Sequence, residues 1–136
     1  MGYQLAVWEG IRPADDDAGI EQFQALAGQH LVGEPSEPTP AIRSFLEALT
    51  TVWTDDLHDP RWEKSPWKHA PLINAASGPI VFLNLRFRSE VIISTVIAAI
   101  AEDHGLVTLD LMVGLLRPVS DDVIAAHAAS RSGSLN

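Results

Sequence analysis

Between Thr54 and Pro71 the chain gathers a dense group of side chains able to do chemistry: Asp55, Asp56, His58, Asp59 and His69, with Trp62 and Trp67 among them. Imidazole and carboxylate are ligands for zinc and other divalent ions. His58, Asp59 and His69, with Asp110 further along, are therefore the candidate ligand or metal residues. Their spacing follows no compact metal motif. A plainer reading stands beside it, in which the aspartates cap turns and the histidines face solvent. The tryptophans divide the same way. A loop indole either closes over a core edge, burying ~200 Å², or anchors a partner. Trp62, Trp67, Asp55 and Asp56 are accordingly the candidate partner-binding residues.

Asp110 ends the run Gly105-Leu-Val-Thr-Leu-Asp110. A carboxylate on the buried face of a strand requires a partner, and Arg86 or Arg88 on the neighbouring strand is the expected cation. A catalytic acid is the sharper alternative. His104 falls at a helix C-terminus, where positive charge is favoured and a capping role fits. His30 and His127 carry no neighbouring signature. No residue is assigned a catalytic role and no cofactor is expected. The chain has no glycine-rich phosphate loop, no Gly-x-Ser-x-Gly elbow and no His-Glu-x-x-His. It has no cysteine, which excludes disulfides and thiolate chemistry.

The elements that must position these residues centre on 80–110. Ile80–Phe87 alternates, with Val81, Leu83, Leu85 and Phe87 on one face and Ile80, Phe82, Asn84 and Arg86 on the other. Ser89 caps a helix whose stripe is Ile93, Val96, Ile97, Ile100 and His104, and Gly105 stops it. Gly105–Asp110 is the next strand. Upstream, Tyr3–Trp8 is a strand, and Asp15–Asp17 starts a helix with apolar face Ile20, Phe23, Leu26, Ala27 and Leu31. Thr39-Pro40 starts a second helix carrying Ile42, Phe45, Leu46, Leu49, Val52 and Trp53. Leu72–Ala75 is expected as a short strand turned by Ser77-Gly78 onto Ile80, and Gly114–Pro118 as a short extended piece. This order predicts an α+β fold, a ferredoxin-like split β-α-β with a doubled first helix, its antiparallel four-stranded sheet covered by helices on one face. Residues 1–118 form a single α+β domain, and 119–136 a C-terminal helix and frayed tail. The open sheet face would leave Ile80 and Phe82 bare, and either a homodimer or the C-terminal helix would cover them.

A chain of 136 residues fits one domain. Its formal charge of −9 is uneven: residues 1–40 hold seven acids and one Arg, whereas 41–88 hold five acids and six bases. This balance argues against nucleic-acid and anionic-membrane binding and permits a basic protein partner. Met1–Glu9 has neither a basic segment nor a long apolar run, and no stretch approaches the ~20 apolar residues of a membrane span. A cytoplasmic protein is expected.

Leu5-Ala-Val-Trp-Glu9, Arg12-Pro13, Ser65-Pro66-Trp67 and His104-Gly-Leu-Val-Thr-Leu-Asp110 resemble a group of small uncharacterised bacterial proteins, frequent in actinobacteria, over most of residues 3–118. The group supplies no activity to carry over. Size, acidity and α+β build are similar to those of immunity proteins of bacterial toxin systems. Two functions follow as expectations. One is a protein-binding module, an immunity-type inhibitor of a basic toxin. The other is a small enzyme or ligand-binding protein with a site between the 54–71 loop and the sheet.

Overall fold

Four consecutive buried residues, Leu5-Ala-Val-Trp8, lie in strand β1 (Tyr3–Glu9), so β1 must be covered on both faces. The computed structural model, which describes residues 3–86 and 90–117, places β1 at the centre of the sheet. The other strands are β2 (Ala76–Ser77), β3 (Ile80–Leu85), β4 (Leu106–Asp110) and β5 (Leu115–Arg117). They run antiparallel in the order β2-β3-β1-β4-β5. Leu5 lies opposite Leu83 on one side and Asp110 on the other.

Period-two alternation sends β1 side chains into two separate cores. Leu5 and Val7 join Val81, Leu83 and Leu85 on the first face, under helices α2 (Pro40–Val52) and α3 (Glu90–Asp103). Helix α2 begins where sequence places it: the Thr39 side chain accepts from the Ile42 N–H, and Pro40 occupies the first turn. Helix α3 ends at Gly105, φ +70°, and His104 Nδ1 lies 2.9 Å from the Ile100 carbonyl, a capping contact.

Ala6 and Trp8 face the other way and pack with Ile80, Val107, Leu109 and Leu116 under helix α1 (Asp16–Leu26). Helix α1 continues as a π-turn over Ala27–Leu31. Trp8 Nε1 donates to Gln22 Oε1 at 2.7 Å, so the buried indole has its partner. Gly19 lets α1 approach β5: a Cβ there would lie 2.8 Å from Leu116 Cδ2. The Leu116 N–H in turn donates to Asp16 Oδ1 at 3.0 Å.

Three expectations are corrected. The sheet has five strands, not four, because Leu115–Arg117 pairs with β4 and is tied down by α1. Helices cover both faces rather than one, since α1 buries the Trp8 face. Ile80 is therefore fully buried, whereas Phe82 stays half-buried. Leu72–Ala75 is a 3-10 turn, and the strand comes after it at Ala76–Ser77. The expected Ser89 cap, Phe87, Arg88 and the 119–136 helix and tail lie outside the described residues. Among the described residues no helix is long and apolar enough to cross a membrane.

Candidate functional site

Two places gather polar groups: the irregular segment 53–75 and the end of the sheet around Asp110. The segment is folded by burial of Trp67, which is fully inaccessible and packs edge-to-face with Trp53 at 5.8 Å. Its Nε1 donates to the Trp53 carbonyl at 3.2 Å. Trp67 also forms a bridge to Leu85, flanked by Lys68 N–H to Asn84 O at 2.9 Å and Arg86 N–H to Pro66 O at 2.6 Å. Packing therefore accounts for Trp67, which has no surface to offer a partner.

Arg86 holds the rest of the loop. Its Nη1 donates to the carbonyls of Trp62, Glu63 and Ser65 at 3.1, 3.2 and 3.1 Å. Its guanidinium lies 4.5 Å from the centroid of the half-buried Trp62 ring. Trp62 thus keeps some exposed area, with one face covered by a cation.

The acids of this loop serve its backbone. Asp55 Oδ2 accepts from Leu72 N–H at 2.9 Å. Asp56 Oδ1 accepts from His58 N–H at 2.9 Å. Asp59 caps the 3-10 turn Pro60–Lys64 and pairs with Arg61 at 2.7 Å. Hydrogen bonds from the Arg61 side chain and backbone hold the Asp59 carboxyl down at about 2. His58 and His69 are exposed, and Asp110 is on β4, facing the first core. Among the described residues no three His, Asp or Glu side chains come close enough to hold a metal ion. His58, Asp59, His69 and Asp110 are not brought together.

Asp110 is fully buried, and among the described residues its cation is Arg117 rather than Arg86. Its Oδ2 accepts from the Tyr3 hydroxyl and from Arg117 Nη2, the latter at 3.1 Å, and its Oδ1 from Met112 N–H at 3.0 Å. Residue 117 is in register with Thr108, one pleat away on the same ladder, whereas Arg86 is drawn off by the loop carbonyls. Thr108 Oγ1 and Arg117 Nε are buried without a hydrogen-bond partner among the described residues.

Tyr3 makes this cluster measurable, because it is the chain's one tyrosine. Its pKa is raised above the ordinary 10.0, first by burial, then by its hydrogen bond to Asp110 and that carboxylate's charge, while Arg117 opposes. A raised pKa means the folded chain holds the proton more tightly than the unfolded one. The resulting stability is complete below the ordinary value and lost as pH rises through the folded value. Tyrosinate absorbance should therefore titrate above the value seen in denaturant, and Asp110→Asn should bring it down. Titration at or below the denatured value would contradict the arrangement.

Beside the 53–75 segment lies a cleft of about 300 Å³ at the β3 edge. The chain pairs with β3 at Trp67↔Leu85 and again at Ala76↔Val81, and between these points it swings away through His69–Ala75. The space left is floored by Phe82 and Asn84 of β3 and walled by His69, Leu72 and Asn74. The wall is anchored: Leu72 is buried, its N–H is held by Asp55, and Asn74 N–H donates to Pro71 O at 3.2 Å. Of this lining only His69 was a candidate from sequence. Phe82 and Asn84 are legible as one face of an alternating strand, and Asn74 carries no signal.

Searches with the chain against protein-family models, curated proteins and solved structures match nothing.

Proposed function

We propose that this chain is a cytosolic protein-binding module of the immunity type, which recognises a basic partner through its α1 side. The reading rests on where the charge lies. Glu9, Asp15, Asp17 and Glu21 are exposed on or beside α1 and in no ion pair among the described residues. Ile11, between them in sequence, is 90% exposed. An exposed apolar side chain close in sequence to these acids suits a cationic protein surface, for which the acids steer encounter and the isoleucine is desolvated. Arg12, next to Ile11, is the cation of this stretch and is outnumbered by these four acids, whereas Arg61, Lys64, Lys68 and Arg86 belong to the loop and β3 edge. In the same proposal the build is a ferredoxin-like split β-α-β with β5 added, which suits β1 lying between β3 and β4.

The test is capture of a partner by tagged protein from host lysate, followed by association kinetics with whatever binds. A basic protein should bind, and Asp17→Lys/Glu21→Lys should slow its association by about tenfold or more at low salt. A partner that is acidic, or one indifferent to both salt and charge reversal, would refute the α1 side as the site.

A second reading is favoured by the cleft at the β3 edge, which lies where the 54–71 loop meets the sheet. Its size, about 300 Å³, is at the lower end of small-molecule sites.

A further inference from the structure

The side-chain heads of His69 and Asn74 make no hydrogen bond among the described residues, although both line one anchored cleft. Asn84 is half satisfied: its Oδ1 accepts from Gln4 Nε2 at 3.3 Å, which leaves the NH₂ to donate. Phe82, half-buried, supplies an aromatic surface beside them. Among the described residues no Asp, Glu, Lys or Arg lines the cleft, in a chain with 27 such residues.

These features select among ligand chemistries. A phosphate, carboxylate or zwitterion needs fixed counter-charge when it leaves water, and the lining has none. A purely apolar ligand would strand three polar heads. A flat, neutral ring with a donor–acceptor edge meets both conditions, because an aromatic side chain stacks on its face and carboxamides pair with its edge. Building on the second reading above, we propose that the cleft between His69–Ala75 and β3 binds a neutral planar heterocycle with an amide-like edge, the chemistry of a nucleobase.

Adenine is the probe, with indole as a flat ring that lacks such an edge. In an NMR titration of the full chain, adenine should shift the side-chain amides of Asn74 and Asn84 and the His69 ring. Asn74→Ala, an exposed substitution, should weaken adenine binding about tenfold and leave indole unaffected. Indole binding as well as adenine, or adenine binding unchanged by Asn74→Ala, would overturn the edge-recognition claim while the cleft remains a ligand site. Neither compound shifting these resonances would overturn the cleft reading as well.

Discussion

Asp110→Ala is expected to destabilise the chain by about 3–5 kcal/mol, because it leaves the Arg117 guanidinium beside an empty, buried site. The carboxylate is fully inaccessible, the Arg117 side chain is only 17% exposed, and the Tyr3 hydroxyl and Met112 N–H lose their acceptor together. For a chain of this size the loss corresponds to a fall in Tm on the order of 10–15 °C. Urea denaturation of wild type and variant, compared at constant m, measures it. The paired replacement Asp110→Leu/Arg117→Met should recover much of the loss, since removing both partners of a buried pair strands no charge. Thr108→Val offers a control: its hydroxyl is buried and unpaired, so the change should be neutral or slightly stabilising. A loss under 1 kcal/mol for Asp110→Ala would mean that the pair is not desolvated as the structure has it.

Trp67→Ala should cost about as much, roughly 3–5 kcal/mol, by a different route. The fully buried indole fills the angle between Trp53 and the end of β3, and its bridge to Leu85 draws Lys68 and Pro66 onto the sheet edge. Removing it opens a cavity, strands the Trp53 carbonyl and unpins the loop. Trp67→Phe should cost less, keeping the ring and losing the Nε1 hydrogen bond. Trp62→Ala should be milder than either alanine change at Trp67 or Asp110, because that ring is only half-buried. Thermal melts of the three tryptophan variants separate packing from recognition: equal losses at Trp62 and Trp67 would show that both rings belong to the core.

Local rules carried a good deal of this molecule. Alternation in Tyr3–Trp8 and Ile80–Leu85 determined two strands, and Thr39-Pro40 and Gly105 marked the start of α2 and the end of α3, because caps and turns are satisfied by neighbouring residues. The turn-capping reading of Asp56 and Asp59 is local chemistry of the same kind, whereas Asp55 reaches across to the Leu72 N–H. In the cleft, alternation puts Phe82 and Asn84 on one strand face, but says nothing of the wall opposite them.

What sequence alone left open was decided by contacts between distant elements. Helix α1 has an apolar stripe that would suit either face of the sheet. Gly19 against Leu116, and Asp16 on the Leu116 N–H a hundred residues away, commit it to the Trp8 face. The partner of Asp110 turned on strand order: β5 brings Arg117 to it, while loop carbonyls claim Arg86. Burial of Trp67 and the cleft beside it both follow from one path, in which the chain leaves the β3 edge after Lys68 and rejoins it at Ala76. Sequence determined which segments are helix and strand, since those choices are made within a few residues. Tertiary structure determined which faces are covered and which charges meet, since a stripe or a carboxylate specifies only that it needs a partner.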